Sequence, residues 1–322
     1  MSFMTMLAPV AEELDRVETL LRARLDSDVA LVRQVAQYIV ASGGKRLRPA
    51  LLLLSCGAVG YRGEARFQLA AVVEFIHTAT LLHDDVVDES PLRRGRSTAN
   101  AAYGNAAAVL VGDFLYSRAF QMMVELHSMR VMQVLAEATN VIAGGEVLQL
   151  MGSHDPRVEE ERYLEVIRRK TAKLFEASAQ LGGVLAGIGP ASEAGLAHYG
   201  MHVGTAFQLI DDVLDYSGDE AAIGKSLGDD LAEGKPTLPL IHAMRAGTPA
   251  QAELVRRAIL DGGREDFGGV LEVIRSTGAL DYARTAAERE ADAAARAIAA
   301  LPASAYKDSL LELASFSVAR RS

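Results

Sequence analysis

The apolar residues of this chain recur every three or four positions along most of its length, which is the period of a helix with one buried face. Near the N-terminus, one apolar stripe consists of Leu14, Val17, Leu21 and Leu25. A second stripe runs from Val29 to Ile39. The same periodicity predicts further helices over residues 64–88, 106–125, 129–150, 158–187, 192–216, 236–246, 249–260, 278–300 and 304–320. The pattern therefore indicates a protein built from helices.

The remaining sequence contains no alternating apolar and polar stretch that is long enough to predict a strand. Half of the residues are hydrophobic, and alanine, leucine, valine, glutamate and arginine dominate, which favours helices. Because no segment rich in proline, glycine or serine divides the chain, we expect one all-α domain over residues 1–322. The charged segment from Ser217 to Lys235 is predicted to be a functional loop.

The charge and the cysteine content exclude several classes of protein. A net charge of -9 makes nonspecific binding to nucleic acid unfavourable. Cys56 is the only cysteine, so no intrachain disulfide can form, and its apolar neighbours favour a small core residue over a nucleophile. The N-terminus lacks the pattern of a signal peptide, and no apolar run reaches the roughly 18–20 residues that span a bilayer. We therefore expect a cytoplasmic protein without a membrane-spanning segment.

Two Asp-Asp-x-x-Asp motifs are the strongest chemical signal in the chain. Their members are Asp84, Asp85 and Asp88 in the first motif and Asp211, Asp212 and Asp215 in the second. Each motif follows an apolar helical segment, and residues four apart share a helical face, so the carboxylates cluster at a helix end. Because like charges repel within one turn and meet the negative end of the helix dipole, each cluster is predicted to bind cations.

The ligand chemistry favours a hard divalent cation. Carboxylate oxygens select magnesium, with manganese as the alternative, and the stretch from Asp84 to Gly95 lacks the alternating ligands of an EF-hand calcium loop. Since magnesium is usually held by one or two carboxylates together with substrate phosphates, two clusters predict a diphosphate whose departure the ions assist. The competing interpretation, a solvated helix end, explains one such motif more readily than two.

Lysine and arginine residues concentrate near these motifs although the protein is acidic overall. The segment from Gly43 to Pro49 places three cations at a glycine turn that opens a helix, where backbone N–H groups also attract anions. Further cationic or hydroxyl side chains follow each motif or lie between them: Arg93, Arg94, Lys170, Thr171, Lys225 and Lys235. Each basic run alone is typical of a solvated face, but together they predict sites for phosphate groups.

His77 lies seven residues before Asp84 and therefore shares its helical face. A helical histidine is most often a core residue, but this position favours contact with a second phosphate group. His83 lies off that face, and we assign it no role.

Together these segments resemble the trans-isoprenyl diphosphate synthase family. The resemblance rests on the Gly43–Pro49 segment, both acid motifs, Gly224-Lys225 and the Gly234–Pro239 segment, in the family's order and spacing over nearly the whole chain. The stretch from Ala101 to Met123 is most similar to the octaprenyl diphosphate synthases of bacterial quinone synthesis. The resemblance implies the isoprenoid-synthase fold, which is a single all-α domain with helices around a deep central cavity, and a homodimer.

The resemblance also implies a role for each motif residue. Isopentenyl diphosphate would be bound by Lys45, Arg48, His77 and Arg94. The allylic diphosphate would be bound by Arg93, Lys170, Thr171, Gln208, Lys225 and Lys235. Magnesium would be held by Asp84, Asp85, Asp88, Asp211, Asp212 and Asp215. These six aspartates, with Lys170 and Lys225, form the predicted catalytic set.

The implied reaction is the elongation of an allylic diphosphate, with farnesyl diphosphate as the expected primer. The allylic diphosphate ionises, the isopentenyl double bond attacks the cation, and a proton is lost. The departing pyrophosphate is the expected base, which agrees with the absence of a convincing side-chain base in the sequence. Transient contact with a membrane during release of the apolar product is left open.

Ala79, five residues before the first motif, predicts a long product. In the family this position faces the growing chain, and a bulky aromatic residue there stops elongation early, so a small residue leaves the tunnel open. A C40 chain needs a tunnel as long as a long helix, which Thr80 is expected to narrow without closing it. Residues 114–123 are a candidate wall, with Met123 or Leu135 as the floor, although ordinary core packing explains these two residues equally well.

Three other functions are weighed against a long-chain synthase. A shorter-chain enzyme, such as a geranylgeranyl diphosphate synthase, would share these motifs. A noncatalytic subunit of a heteromeric synthase typically loses one acid motif, whereas both are intact here. A terpene cyclase would carry a second metal motif of the Asn/Ser/Glu type and would not need the isopentenyl diphosphate site.

Overall fold

The computed structural model describes residues 3–41, 43–93, 95–217, 227–262 and 265–320. Two predicted site residues, Arg94 and Lys225, lie outside the described residues, as does the 218–226 part of the predicted loop. The described helices are α1 (Phe3–Met6), α2 (Ala11–Arg24), α3 (Ala30–Ala41), α4 (Leu47–Ala58), α5 (Ala65–Val87), α6 (Ala99–Tyr103), α7 (Asn105–Glu125), α8 (Met129–Gly152), α9 (Glu160–Ile167), α10 (Lys173–Ala186), α11 (Pro190–Ser217), α12 (Asp229–Ala232), α13 (Leu238–Ala246), α14 (Pro249–Asp261), α15 (Phe267–Ser276), α16 (Ala279–Ala297) and α17 (Ala305–Ala319). The prediction of an all-α fold is confirmed.

The differences from the predicted elements are local. The helix predicted over 158–187 is divided into α9, a π-helical turn at Arg168–Ala172 and α10. The short helices α1, α6, α12 and α15 lack a predicted counterpart. A two-residue antiparallel hairpin, β1 (Leu92–Arg93) and β2 (Arg96–Ser97), follows the first acid motif. Among the described helices, none combines the length and the apolar character that crossing a bilayer requires.

The helices group into two compact units, of which the first comprises Met1–Thr139, Leu174–Gly200 and Ala297–Leu313. Its core is centred on α4, in which Leu51, Leu52, Leu53 and Leu54 are all fully buried. Full burial of each leucine contributes roughly 1.5–3 kcal/mol, so α4 is held by packing on every side. Helix α5 packs against α2, α4 and α7, and its C-terminal end carries the first acid motif.

The second unit comprises Asn140–Lys173, Met201–Arg296 and Ala314–Ser322. One of its core clusters joins α9, α11, α13 and α16 around Tyr163, Leu209 and Ile210. Another core cluster joins α13, α14 and α15 around Leu240 and Ile259. The cluster on α11 fixes the helix whose C-terminal end carries the second acid motif. Each boundary between the units falls inside a helix, and a single domain over 1–322 stays a prediction.

Candidate active site

The three carboxylates of the first motif divide between a buried position and two half-buried ones. Asp85 is fully buried, and its Oδ1 accepts a hydrogen bond of 2.7 Å from Nε of Arg93 on β1. Its backbone carbonyl accepts a hydrogen bond of 3.0 Å from Nδ2 of Asn100 on α6. Asp84 and Asp88 are half-buried and stand one helical turn apart. Asp85 therefore ties the end of α5 to the hairpin, and Asp84 and Asp88 are the carboxylates nearer to solvent.

The glycine turn before α4 is held by Arg46. Gly43 has φ 73°, and Arg46 has φ 46°, a left-handed conformation that costs a non-glycine residue about 1–2 kcal/mol. The Arg46 guanidinium forms ion pairs with the buried Glu74 at 2.5 Å and with Glu18 at 3.1 Å. Burial acts to lower the pKa of Arg46, but the two carboxylates outweigh it and the pKa is raised. Ion pairs with two other helices thus hold this strained turn in place. The sequence alone indicates no separate role for Arg46.

Two predicted ligands of isopentenyl diphosphate are brought together next to this turn. Nη1 of Arg48 lies 3.1 Å from Nε2 of His77. Because arginine has no acceptor, the arginine donates and Nε2 of His77 accepts, which places the proton of a neutral imidazole on Nδ1. The Arg48 guanidinium also stacks 4.3 Å from the ring centroid of Phe175. Lys45 is exposed on the turn.

A cleft in the first unit connects the turn, α5 and the hairpin. Its lining includes Gly43, Arg46, His77, Asp85, Arg93 and Ser97. The guanidinium groups of Arg46 and Arg93 line the cleft. Each forms an ion pair with a carboxylate of α5: Arg46 with Glu74, and Arg93 with Asp85. The cleft therefore combines arginine donors with the carboxylates that fix their positions.

The second motif shows the same division at the end of α11. Asp212 is buried and accepts hydrogen bonds of 2.5 Å from the hydroxyl of Tyr163 and 2.7 Å from Nε2 of Gln208. Asp211 is more exposed and forms an ion pair with Arg320, which follows α17. Asp215 accepts a hydrogen bond of 3.2 Å from the backbone amide of Asp230. The tyrosine and Arg320 lack a sequence signal that links them to the motif, because each is far from it along the chain.

Burial governs the protonation of the inner aspartate. It raises the pKa of the Asp212 carboxyl well above its usual value, and the charge of Asp230 acts in the same direction. The hydrogen bonds from Tyr163 and Gln208 oppose this shift in the pKa of Asp212. Burial also raises the pKa of the Tyr163 hydroxyl, so the tyrosine stays protonated and donates. Burial therefore favours the protonated form of Asp212, which lacks a direct cationic partner among these contacts.

Predicted ligands of the allylic diphosphate lie on the π-helical turn and on α11. The hydroxyl of Thr171 donates a hydrogen bond of 3.0 Å to Oε1 of Gln208, which links the turn to Asp212. Nζ of Lys170 lies 2.6 Å from Oε2 of Glu146 on α8. Lys235 follows α12, where its side chain is paired with Glu233. Arg93 is paired with Asp85 in the first unit.

The donor set suits ions that share their coordination with a substrate. Within the described residues, no three acidic, histidine or cysteine side chains converge on a point that a metal ion could occupy. A divalent ion held by one or two carboxylates and completed by phosphate oxygens fits the motifs, in which Asp84, Asp88 and Asp211 are more exposed than Asp85 and Asp212.

The residues predicted to control product length lie in the first unit. Ala79, Met123 and Leu135 are fully buried. Thr80 is half-buried, and its hydroxyl donates a hydrogen bond of 2.8 Å to the carbonyl of His77. Ala79 on α5 and Met123 on α7 belong to helices that pack side by side. Their position along a product tunnel stays a prediction.

Comparison with known proteins gives the family. The polyprenyl synthetase family model matches residues 29–274. Octaprenyl diphosphate synthase of Escherichia coli is 55% identical over 311 residues, which is 96% of each protein. An all-trans-nonaprenyl-diphosphate synthase of Rhodobacter capsulatus is 46% identical over 95% of this chain and 94% of its own length. A polyprenyl synthase of Caulobacter crescentus, solved with calcium and isoprenyl diphosphate, has a TM-score of 0.96 and 46% identity and covers 100% of this chain and 98% of its own. The chain belongs to the polyprenyl synthetase family.

Proposed function

We propose that this protein is a long-chain trans-prenyltransferase that adds isopentenyl diphosphate units to farnesyl diphosphate, with octaprenyl diphosphate as the product. The observation that carries the proposal is the arrangement of the two acid motifs. In each motif the middle aspartate is buried and held by protein donors, while the first is left more exposed. Similarity to the octaprenyl diphosphate synthase of E. coli supports the C40 product.

In this proposal the more exposed carboxylates of the two motifs bind magnesium, and the buried middle carboxylates anchor the ends of α5 and α11 by hydrogen bonds. Magnesium, when bound, neutralises the allylic diphosphate and lowers the barrier to breaking its C–O bond. Asp84, Asp88 and Asp211 are the proposed direct ligands, with Asp215 beside them. Asp85 and Asp212 fix the orientation of the two motifs through Arg93 and through Tyr163 with Gln208.

The remaining residues bind and orient the two substrates. The allylic diphosphate is assigned to Arg93, Lys170, Thr171, Gln208, Lys225 and Lys235. Isopentenyl diphosphate is assigned to Lys45, Arg48, His77 and Arg94. The neutral tautomer of His77 is consistent with this assignment, because Nδ1–H is then a donor while Nε2 is engaged by Arg48. Holding both substrates in one geometry turns a bimolecular encounter into an intramolecular attack.

The test is incubation of the purified protein with farnesyl diphosphate, labelled isopentenyl diphosphate and Mg²⁺, followed by chromatography of the products. We expect a C40 product and no incorporation when a chelator is added. Product limited to C20 would indicate a geranylgeranyl diphosphate synthase. No incorporation by the protein alone would contradict the proposal and favour a subunit of a heteromeric synthase.

A homodimer and a cytoplasmic location are also part of the proposal. Helix α7 exposes the apolar side chains of Leu110, 66% accessible, and Val124, 59% accessible, as expected of a surface that a second copy covers. Sedimentation should give twice the 34.4 kDa mass of the chain, and Leu110→Glu should shift the protein toward the monomer. A monomeric wild-type protein would contradict the homodimer.

A further inference from the structure

The segment Arg168–Ala172 is a π-helical turn between α9 and α10, and it contains both Lys170 and Thr171. The backbone amide of Lys173 donates to the carbonyl of Arg168, which closes the wider ring of this turn. Such turns are rare because they pack less well than an α-helix, and they occur frequently at functional sites. The turn therefore needs anchors outside its own backbone to keep its two central side chains in place.

Two contacts anchor the turn on the side of α8 and α11. Lys170 is paired with Glu146, and Thr171 donates to Gln208. Gly145 allows α8 to approach closely, because a Cβ atom at this position would lie 2.7 Å from the backbone nitrogen of Lys170. The contacts of Lys170 and Thr171 use the same side chains that are proposed to bind the diphosphate, so they compete with the substrate for these groups.

A separate anchor holds the first residue of the turn and involves none of the proposed substrate ligands. Nη2 of Arg168 lies 3.0 Å from Oε1 of Glu290 on α16. The other oxygen of the same carboxylate lies 2.5 Å from Nδ1 of His202 on α11. The Glu290 side chain is 16% accessible and that of Arg168 is 45% accessible, so the carboxylate is held on the protein side while solvent reaches the guanidinium.

The charge state of Glu290 agrees with this role. Burial acts to raise the pKa of its carboxyl, but the hydrogen bond from His202 and the contact with Arg168 outweigh it and the pKa is lowered. The carboxylate therefore stays ionised and connects the π-helical turn to α11, which also carries Gln208 and the second acid motif.

We propose that Glu290, oriented by His202, is a positioning residue that sets the π-helical turn through Arg168 so that Lys170 and Thr171 meet the allylic diphosphate. This inference rests on the proposed assignment of those two residues to the allylic substrate. Glu290 contacts neither substrate in this scheme. Its effect is on the site for the primer and not on the site for isopentenyl diphosphate.

The test compares Michaelis constants for the two substrates in Glu290→Ala and in the wild-type protein. We expect KM for farnesyl diphosphate to rise about tenfold, since a misaligned hydrogen bond to a charged group weakens binding by about that factor. KM for isopentenyl diphosphate should stay within about twofold of its wild-type value. Glu288→Ala, an exposed glutamate on the same helix, is the matched control and should change neither constant.

A double-mutant cycle separates positioning through Arg168 from a general loss of packing. If Glu290 acts through Arg168, then Arg168→Ala and Arg168→Ala/Glu290→Ala should raise KM for farnesyl diphosphate by about the same factor as Glu290→Ala. Glu290→Gln keeps the shape and one acceptor oxygen, so its effect should be smaller than that of Glu290→Ala. If Glu290→Ala does not fold, Glu290→Gln and His202→Gln provide the same comparison of the two constants.

Two outcomes would overturn the inference: unchanged KM for farnesyl diphosphate in these variants, or an equal rise in both Michaelis constants. Lys170→Ala tests the underlying assignment independently. If Lys170→Ala leaves KM for farnesyl diphosphate unchanged, the assignment of the allylic site is wrong. If Lys170→Ala raises it and the Glu290 variants do not, only the role of Glu290 is wrong.

Discussion

The middle aspartates of the two motifs are both buried, but they differ in what compensates their charge. Asp85 forms an ion pair with the guanidinium of Arg93. Asp212 instead accepts hydrogen bonds from the neutral groups of Tyr163 and Gln208, and the negative charge of Asp230 disfavours its ionisation. Removing one member of a buried ion pair destabilises the protein, because the other charge stays buried without a partner. Removing a buried carboxylate that has no cationic partner relieves the cost of its desolvation. The same substitution should therefore have opposite effects at the two positions.

We expect Asp212→Asn to stabilise the protein by about 1–3 kcal/mol at neutral pH in the presence of a chelator, because it removes a carboxyl that must either stay charged in a buried position or take up a proton on folding. The folded protein holds a proton at Asp212 more tightly than the unfolded chain does, since the pKa is raised. Its contribution to stability is therefore lost as pH rises above about 4, the usual pKa of aspartate. The advantage of the variant in thermal unfolding measurements should therefore grow as pH rises from about 4 toward the raised pKa of Asp212, while its activity is lost.

Asp85→Asn is the matched control for this prediction. It should destabilise the protein by about 3 kcal/mol, because it breaks a buried ion pair and leaves the Arg93 guanidinium without its carboxylate. Equal destabilisation by both substitutions would contradict the difference in charge compensation.

The ion pairs of Arg46 predict a second effect at the scale of one residue. Arg46→Ala should lower the free energy of unfolding by about 3 kcal/mol, since it takes the guanidinium away from Glu74, whose side chain is only 6% accessible. It should also raise KM for isopentenyl diphosphate, because the turn carrying Lys45 and Arg48 loses its anchor. Arg22→Ala removes an exposed partner of the same Glu18 and should cost under about 1 kcal/mol in denaturant unfolding. Similar costs for the two variants would show that the buried pair does not hold the turn.

At the scale of elements, apolar periodicity predicted most helices because each helix buries one face against a neighbour. Burial of one face requires apolar residues every three or four positions, and this spacing can be recognised within a short stretch of sequence. The same periodicity predicted that each acid motif lies at the C-terminal end of a helix, which is where α5 and α11 carry them. The π-helical turn was not predicted, because inserting one residue changes hydrogen bonding while leaving the apolar pattern around Ile167 and Ala172 helical. The pairing of Arg320 with Asp211 was also missed, because it joins residues 109 positions apart and depends on tertiary packing.

Two adjacent glycines on α8 provide a test of how closely an element must approach the π-helical turn. A Cβ atom at Gly145 would lie 2.7 Å from the backbone of Lys170, whereas a Cβ atom at Gly144 meets nothing within 4 Å. Gly144→Ala should stabilise the protein by about 0.5–1 kcal/mol through helix propensity. Gly145→Ala should instead destabilise it by about 1–3 kcal/mol, because backbone cannot move aside as a flexible side chain can.

The measurement for this pair is chemical denaturation together with steady-state kinetics. Gly145→Ala should raise KM for farnesyl diphosphate, and Gly144→Ala should leave it unchanged. If both alanines stabilise the protein, α8 does not constrain the turn.

At the scale of the whole molecule, product length is the property that the family leaves variable, since relatives with octaprenyl and nonaprenyl products match this chain over nearly its full length. The length must then depend on side chains that leave the fold and the acid motifs intact. Ala79 is suited to such a role, because it is fully buried on α5 about one helical turn before the first motif.

Ala79→Tyr should therefore shorten the product while elongation continues. The phenol ring would fill space through which the growing chain is proposed to pass, and each ~1.4 kcal/mol that this obstruction adds to the barrier would slow further elongation about tenfold. Chromatography of the products should show short-chain diphosphates in place of C40, and Ala79→Ser, which stays small, should give the wild-type length. Met123→Ala distinguishes a tunnel floor from ordinary packing, because a floor residue would lengthen the product whereas a packing residue would lower only the melting temperature. Unchanged length in Ala79→Tyr, in a variant that is folded and active, would mean that the growing chain does not pass α5 at this position.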